Sequence, residues 1–336
     1  MNRGILSRDT SPLWLDRESV TSDDRRHGGG RTLVWLPLPP EEIDDLPRGL
    51  DYVHWNGGDA YPTSPAHVGF YAPPITKDTE VVLRPLPHME RLRVVQALSA
   101  GVDHLVPHLP AEVTLCNAHG VHDASTAELA LTLTLASLRG VPDFVRGQDT
   151  GHWHSGFRPS LFGRRVLIVG YGSIGAAIED RLHPFGCEVA RVARTGRRSR
   201  RGAVHAPSAL AELLPKSDVV ILSLPLTEQT RGMAGVRFLA SMKDGALLVN
   251  VARGPVVDTK ALLAELESGR IQAALDVTDP EPLPIGHPLW TAPGVLISPH
   301  VGAFTSALLP HVKKLLSAQL HRFARGAQLE NLVSRA

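Results

Sequence analysis

The sequence predicts an α/β protein whose larger part is a doubly wound parallel sheet of the Rossmann type. Three observations carry this prediction. The chain has 336 residues, enough for two domains of roughly 150 residues each. Its second half repeats short apolar runs separated by helix-like segments, as a parallel sheet covered on both faces requires. One of these runs leads directly into a G-x-G-x-x-G motif, which typically joins a strand to a helix.

Apolar runs predict strands in both halves of the chain. In the second half they cover residues 166–169, 188–192, 219–222, 246–249, 272–275 and 295–297. The crossover from Asp258 to Glu267 begins with an acidic N-cap and carries leucines along one face, which predicts a helix. In the first half, shorter runs alternate with connections rich in Pro and Gly and predict a smaller α/β domain. These shorter runs cover residues 32–36, 93–97 and 113–116.

Two further helices are predicted outside the sheets. The segment from Ser125 to Leu138 lacks Gly and Pro, which predicts a helix with Ser125 or Thr126 as its N-cap and Gly140 at its end. Residues 306–323 are also helical in pattern and are expected to fold back onto the first domain. Residues 1–30, which end in three glycines, are expected to form a flexible tail.

Composition excludes several classes of partner. Because 35 basic residues balance 34 acidic ones, the net charge is only +1, and no overall field favours nucleic acid or an anionic membrane. The most apolar run, 129–138, is shorter than the ~20 residues of a membrane span. Only two cysteines are present, Cys116 and Cys187, which suits a reducing cytoplasm. Zinc is not expected, because the 16 histidines lack suitably spaced cysteine or carboxylate partners.

The glycine motif predicts a dinucleotide site. Gly170, Gly172 and Gly175 follow the predicted strand, and Ser173 and Ile174 open the predicted helix. Such glycines allow a tight turn and a close approach of backbone N–H groups to a pyrophosphate, which the positive end of the helix dipole also stabilises. The cofactor is therefore expected to be NAD or NADP.

The residues after the second strand favour NADP. A cofactor with a free 2′-hydroxyl is usually held by an acidic residue about 20 positions beyond the glycines. That place is near Ala193, and the residues that follow it are Arg194, Thr195, Gly196 and Arg197. Guanidinium groups match the charge of a 2′-phosphate, so NADP is predicted as the preferred cofactor. A solvated basic loop is the alternative.

Together with the glycine motif, several segments make the chain resemble the D-isomer-specific 2-hydroxyacid dehydrogenases. The segments are 99–104, 126–129, 224–227 with Thr230, 250–254, 274–277 with 281–284, and 298–302. The resemblance implies a Rossmann cofactor domain at 121–303, inserted into a discontinuous, flavodoxin-like substrate domain formed by 31–120 plus 304–336. It also implies a homodimer that packs through the cofactor domains.

The family's three catalytic positions correspond here to Arg253, Glu281 and His300. A forked guanidinium at Arg253 can hold the carboxylate of a 2-oxo acid and polarise its ketone. As hydride reaches the carbonyl carbon, the oxygen must gain a proton, which an imidazolium at His300 can deliver near neutral pH. Glu281 would orient the His300 ring and favour its charged form. All three residues follow predicted parallel strands, at the edge where open α/β sheets bind ligands.

The resemblance also implies the remaining site residues. Asp276 corresponds to the position that contacts the nicotinamide carboxamide, although an acid at a strand end could equally cap a turn. The segment Ser99, Ala100 and Gly101 corresponds to the cradle for the substrate carboxylate. Cofactor contacts are further implied for matched segments that contain Leu224, Pro225, Thr230 and Val251. Four aromatic residues are candidates for the substrate pocket or the core: Trp55, Phe70, Tyr71 and Trp290.

The predicted function is reduction of a small 2-oxo acid by NADPH, or by NADH, of the glyoxylate and hydroxypyruvate type. Phosphite dehydrogenases keep a similar set of Arg, Glu and His and remain an alternative. Formate dehydrogenases replace the acid of the pair by glutamine, so Glu281 argues against them. A non-catalytic, nucleotide-sensing scaffold similar to the family's corepressors is a third possibility, because such proteins can retain the catalytic residues.

Overall fold

The structure, a computed structural model, describes residues 31–334. This part of the chain contains two parallel sheets. The first sheet has five strands in the order β2-β1-β3-β4-β5, all parallel, which is the flavodoxin-like order. Its elements are β1 Thr32–Leu36, β2 Leu50–His54, β3 Val68–Tyr71, α1 Thr79–Leu83, β4 Val94–Gln96 and β5 Thr114–Cys116. We call this sheet with its helices the five-stranded lobe.

Two consecutive helices connect this lobe to the second sheet. They are α2 Asp123–Arg139 and α3 Val141–Thr150, and Gly140 between them adopts a left-handed conformation that ends α2. Small buried residues on α2, Ala127 and Ala130, pack in the core of the second sheet. The predicted end of α2 is confirmed, but the predicted caps are wrong. Ser125 and Thr126 lie inside the first turn, because the helix already begins at Asp123.

The second sheet has six parallel strands in the order β13-β12-β11-β10-β6-β7. The elements of this six-stranded lobe are β6 Arg165–Val169, α4 Ser173–Leu182, β7 Glu188–Val192, the hairpin strands β8 Arg197–Ser199 and β9 Gly202–Val204, α5 Leu210–Leu213, β10 Val219–Leu222, α6 Val236–Ala240, β11 Leu247–Asn250, α7 Thr259–Glu267, β12 Gln272–Leu275 and β13 Val295–Ile297. The strand order reverses between β6 and β10. Ligands of open α/β sheets bind at such a reversal, beyond the carboxyl ends of the strands.

The last helix, α8 Leu308–Ala324, returns to the five-stranded lobe. Val312, Leu316 and Leu320 lie on one face of α8 and are fully buried in a cluster that includes Val34 and Phe70 of the first sheet. The spacing of these three residues is four, so they form one apolar stripe. The prediction that the C-terminal helix folds back onto the first domain is confirmed.

Most predicted strands are confirmed to within one residue at either end, and the helix capped by Asp258 is confirmed as α7, with Ala261 N donating to the Asp258 carboxylate. Four strands were missed. The polar residues of β2 and the glycine within β3 obscure the strand pattern, and the hairpin β8–β9 lies in the basic segment. The tail predicted for 1–30 lies outside the described residues. Across 31–334, none of the helices has the length and apolarity to span a bilayer.

Candidate active site

The G-x-G-x-x-G segment forms a tight turn between β6 and α4. Gly170 has a φ of +101°, and a Cβ there would lie 2.5 Å from the carbonyl carbon of Ser223. Only glycine therefore fits where this turn meets the loop after β10. Gly172 is the N-cap of α4, and a Cβ there would have open space around it. The N–H groups at the start of α4 are thus open to an anion, as a pyrophosphate site requires.

A buried polar network anchors this turn to the neighbouring strand. The Tyr171 hydroxyl donates to the carboxylate of Glu179 on α4, and Arg191 of β7 contacts the same carboxylate through two guanidinium nitrogens. Burial raises the pKa of Glu179, but the hydrogen bonds from Arg191 and Tyr171 outweigh burial and hold this pKa below its usual value. Sequence reasoning missed this network, because no local pattern pairs residues from three elements.

The predicted NADP residues lie beyond the end of β7. Arg194, Thr195 and Arg197 are all exposed, and Arg197 is the first residue of the hairpin strand β8. Its guanidinium Nη2 donates to the Tyr171 carbonyl at 2.7 Å, which brings one positive charge directly against the glycine turn. Arg197 is thus both a surface residue and a neighbour of the dinucleotide cradle.

The three predicted catalytic residues follow three adjacent strands. Arg253 comes after β11, Glu281 after β12 and His300 after β13. His300 Nδ1 donates to Glu281 Oε1 at 2.5 Å, which leaves Nε2 as the ring nitrogen able to exchange a proton with a ligand. Burial raises the pKa of Glu281, but the hydrogen bond and charge of His300, with weaker contributions from Lys77 and Arg253, lower it to below its ordinary value.

The Arg253 guanidinium crosses to the five-stranded lobe. Its Nη1 donates to the carbonyl of Ala252 at 2.8 Å, and its Nε faces Asp103 Oδ1 at 3.4 Å. A Cβ on Gly101 would lie 2.1 Å from Arg253 Nη2, so a glycine is needed for the guanidinium to approach this loop. The ion pair with Asp103 was not predicted, although Asp103 lies inside a segment that the sequence marked as functional.

Asp276 holds the loop that carries His300. The Asp276 carboxylate is buried, with Oδ1 accepting from Ser298 Oγ at 2.6 Å and Val301 N at 2.9 Å, while Oδ2 accepts from Gly302 N at 3.0 Å. The loop-capping role that sequence reasoning left open for Asp276 is therefore present. Contact with a nicotinamide remains a prediction.

A cavity of about 360 Å³ lies between the two lobes and contains the predicted catalytic and substrate-binding residues. Both the substrate segment and the catalytic residues line it, together with three predicted cofactor residues: Ser99, Ala100, Gly101, Arg253, Glu281, His300, Ile174, Val251 and Asp276. The other predicted cofactor residues lie outside its lining: Gly170, Gly172, Ser173, Gly175, Arg194, Thr195, Arg197, Leu224, Pro225 and Thr230. Thr230 shapes the loop after β10, since its Oγ1 donates to the Pro225 carbonyl at 2.7 Å.

The aromatic candidates lie elsewhere. Trp55 and Tyr71 pack in one core of the five-stranded lobe and Phe70 in the other, and Trp290 lines a separate cavity between α2, α3 and the β13 edge. That second cavity, about 650 Å³, is larger but contains none of Arg253, Glu281 and His300. We therefore assign the chemistry to the smaller one. Among residues 31–334, no three His, Cys, Asp or Glu side chains converge as metal ligands would.

Comparison with known proteins decides the family. The sequence profile of the "D-isomer specific 2-hydroxyacid dehydrogenase, NAD binding domain" matches residues 131–302. A glyoxylate reductase/hydroxypyruvate reductase from Mus musculus is 35% identical over 294 residues, which are 82% of this chain and 89% of the relative. The chain belongs to the D-isomer specific 2-hydroxyacid dehydrogenase family. It is an NAD(P)-dependent oxidoreductase of 2-oxo and 2-hydroxy acids, as the sequence predicted.

Other family members agree with this placement. A glyoxylate/hydroxypyruvate reductase B from Escherichia fergusonii is 38% identical over 232 residues, 66% of this chain and 71% of the relative. A crystal structure of a family member from Xanthobacter autotrophicus Py2, in complex with NADPH and MES, has 31% identity and a TM-score of 0.76. It covers 91% of this chain and 98% of its own, so the predicted combination of two parallel-sheet lobes is confirmed.

The lowered pKa of Glu281 predicts how stability depends on pH. Ionised Glu281 stabilises the folded chain above its unfolded-state pKa, and this contribution is lost as the pH falls through its lower folded-state pKa. Glu281→Gln should therefore lose less free energy of unfolding than the wild type between about pH 5 and about pH 3. Urea denaturation at several pH values measures this. Glu90→Gln, at an exposed position, is the control, and the same pH dependence in both variants would contradict the assignment.

Proposed function

We propose that this dehydrogenase reduces small 2-oxo acids of the glyoxylate and hydroxypyruvate type, with NADPH as the preferred coenzyme. The observation that carries the proposal is the meeting of Arg253, Glu281 and His300 in one cavity between the lobes. The relatives in Mus musculus and Escherichia fergusonii that carry these two substrates in their names support the substrate class. The small volume of the cavity, about 360 Å³, fits a short acid.

Arg253 would bind and orient the substrate. Its guanidinium lies against the Ser99–Gly101 segment, so a carboxylate placed there would meet both the side-chain donors and the backbone N–H groups of this loop. A guanidinium N–H directed at the ketone oxygen would withdraw electron density from the carbon and stabilise the developing alkoxide. The bound coenzyme would supply the hydride, and the glycine turn that excludes any Cβ at Gly170 fits its pyrophosphate.

His300 would supply the proton. Because Nδ1 is engaged by Glu281, the protonated Nε2 can donate to the alkoxide oxygen as the C–O bond becomes single. The carboxylate of Glu281 stabilises the imidazolium before transfer and keeps the ring plane fixed. In the oxidative direction the same nitrogen accepts the proton from the hydroxyl group of the 2-hydroxy acid.

We further propose the cofactor path and the division of the chain. The pyrophosphate would lie on the turn Gly170, Gly172, Ser173, Ile174 and Gly175, with the remaining contacts from Leu224, Pro225, Thr230, Val251 and Asp276. The substrate domain would comprise 31–120 plus 304–336, and the cofactor domain 121–303. The packing of α8 on the first sheet supports this discontinuous division.

Turnover tests the proposed reaction. Purified protein with NADPH should oxidise the coenzyme when glyoxylate or hydroxypyruvate is added, measured by loss of nicotinamide absorbance. His300→Ala should lower kcat by about 10²–10⁴, the range for a lost general acid, with coenzyme affinity unchanged. His88→Ala, at an exposed position, is the control. Tight coenzyme binding without turnover of any 2-oxo acid or of phosphite would favour the nucleotide-sensing scaffold. Oxidation of phosphite by NADP⁺, with no turnover of any 2-oxo acid, would favour a phosphite dehydrogenase.

The basic segment predicts the coenzyme preference. With Arg194 and Arg197 both replaced by Ala, the affinity for NADPH should fall about tenfold or more while that for NADH changes little, because only NADPH presents a 2′-phosphate to the guanidinium groups. Fluorescence titration with each coenzyme measures this. The control removes two exposed arginines from the other lobe, Arg48 and Arg91. Equal losses for both coenzymes would refute the 2′-phosphate assignment.

We also propose a homodimer, supported by exposed aromatic side chains in the segment between α3 and β6. Trp153 is 95% exposed, Phe157 108% and Phe162 75%, and large apolar side chains exposed close together in sequence are expected at an interface. Replacing Trp153 and Phe157 by Ser should shift the mass measured by light scattering from dimer to monomer. Ile285→Ser, at a site 104% exposed, should leave the dimer intact. A wild-type monomer would contradict the proposal.

A cytoplasmic location is the remaining proposal. Both cysteines are unpaired, Cys116 in the core and Cys187 half-buried, as expected in a reducing compartment. Cell fractionation checks this, and recovery in a membrane or secreted fraction would contradict it.

A further inference from the structure

Lys77 lies in the five-stranded lobe but contacts the other lobe. It stands between β3 and α1 and lines the cavity that contains Arg253, Glu281 and His300. The Lys77 ammonium donates to the Pro299 carbonyl at 2.5 Å and lies 5.1 Å from the centre of the Phe304 ring. Both partners belong to the loop that follows β13, so one side chain joins the two lobes at the active site.

The residues that Lys77 contacts lie on either side of His300 in the sequence. Pro299 directly precedes this residue, and Phe304 follows four positions later. His300 has a φ of +55°, a left-handed conformation that is uncommon for residues other than glycine and persists only where the surroundings hold it. Asp276 holds the loop from within its own lobe. Lys77 stabilises the same loop through contacts from the opposite lobe.

The backbone on which Lys77 stands is itself well anchored. The next residue, Asp78, caps α1 by accepting from Glu80 N at 3.0 Å and Val81 N at 3.3 Å, and Asp78 N donates to Thr76 Oγ1 at 3.0 Å. The lysine is therefore presented by a fixed turn rather than by a loose loop. Because this turn is held by its own hydrogen bonds, the Lys77 ammonium is kept in position to bind Pro299 and Phe304.

We propose that Lys77 is a positioning residue that makes the placement of His300 depend on contact between the two lobes, a role that rests on the proposed function. Separation of the lobes removes the ammonium from Pro299 and Phe304 and releases the loop of the proton donor. Contact restores both interactions and fixes His300 Nε2 towards the substrate oxygen. The Lys77 charge also contributes to the low pKa of the neighbouring Glu281 carboxyl, which agrees with its proximity to the pair.

Steady-state kinetics of Lys77→Met and Lys77→Arg test this role. Methionine keeps the length of the side chain but can neither donate to Pro299 nor bind the Phe304 ring as a cation. Its kcat should fall about tenfold with glyoxylate and hydroxypyruvate alike, since loss of alignment slows the chemical step, while the KM and the NADPH affinity stay within about twofold of wild type. Arginine keeps the charge, the donors and the affinity for an aromatic face, so it should recover most of the lost kcat.

Lys313→Met is the matched control. Lys313 pairs with Glu42 of the same lobe at 3.0 Å, and neither residue lines the cavity. Replacement of Lys313 should leave kcat unchanged. A wild-type kcat in Lys77→Met would overturn the proposal. So would a rise in KM for only one of the two acids, because Lys77 would then contact the substrate directly.

Hydrogen exchange separates failure of this inference from failure of the proposed reaction. In the NADPH-loaded protein, amide exchange in the peptide 298–304 should be several-fold faster in Lys77→Met than in wild type and unchanged in Lys313→Met. This measurement needs no turnover, so it applies even if the wild type reduces neither acid. Equal exchange rates in wild type and Lys77→Met would refute the claim that Lys77 stabilises this loop.

Discussion

The hydrogen bond between His300 and Glu281 is the interaction on which the proposed chemistry depends. It joins two residues that follow different strands, and it leaves one ring nitrogen free for the substrate. A parallel sheet makes this contact possible, because Asn250 pairs in register with Leu275, and Leu275 with Ile297. The three strands therefore end at the same level, and the residues after them share one edge of the sheet. Arg253 comes from the same edge, so the residues proposed to orient the substrate and to donate the proton all lie at one end of a single sheet.

The two lobes divide the remaining tasks. The six-stranded lobe provides the glycine turn, the proposed catalytic residues and the buried Asp276, which binds the His300 loop. The five-stranded lobe provides the segment that the Arg253 guanidinium contacts and, through Lys77, a contact to the loop of His300, the proposed proton donor. The site is therefore complete only where the lobes meet. Enclosure between them would exclude water, which would strengthen the attraction between the Arg253 guanidinium and the carboxylate of a bound acid.

Sequence reasoning predicted the parts of the site that local pattern determines. The Gly170 turn follows from its setting between a strand and a helix, and Arg253, Glu281 and His300 follow from the resemblance to the family. It did not predict Asp103 or Lys77 as partners of the site, because their contacts depend on how the five-stranded lobe approaches the other one. The Tyr171–Glu179–Arg191 network was not predicted for a related reason, because its members come from a turn, a helix and a strand. The helix cap at Ser125 was misplaced, because α2 has its N-cap at His122 and Ser125 and Thr126 lie inside the first turn.

A crystal structure of the protein with NADPH and oxamate, an unreactive analogue of a 2-oxo acid, tests the central claim most directly. The account predicts the oxamate carboxylate on the Arg253 guanidinium, its neighbouring carbonyl oxygen within hydrogen-bond distance of His300 Nε2, and His300 Nδ1 still bound to Glu281. A ligand held away from Arg253, or a His300 ring turned out of the cavity between the lobes, would contradict it.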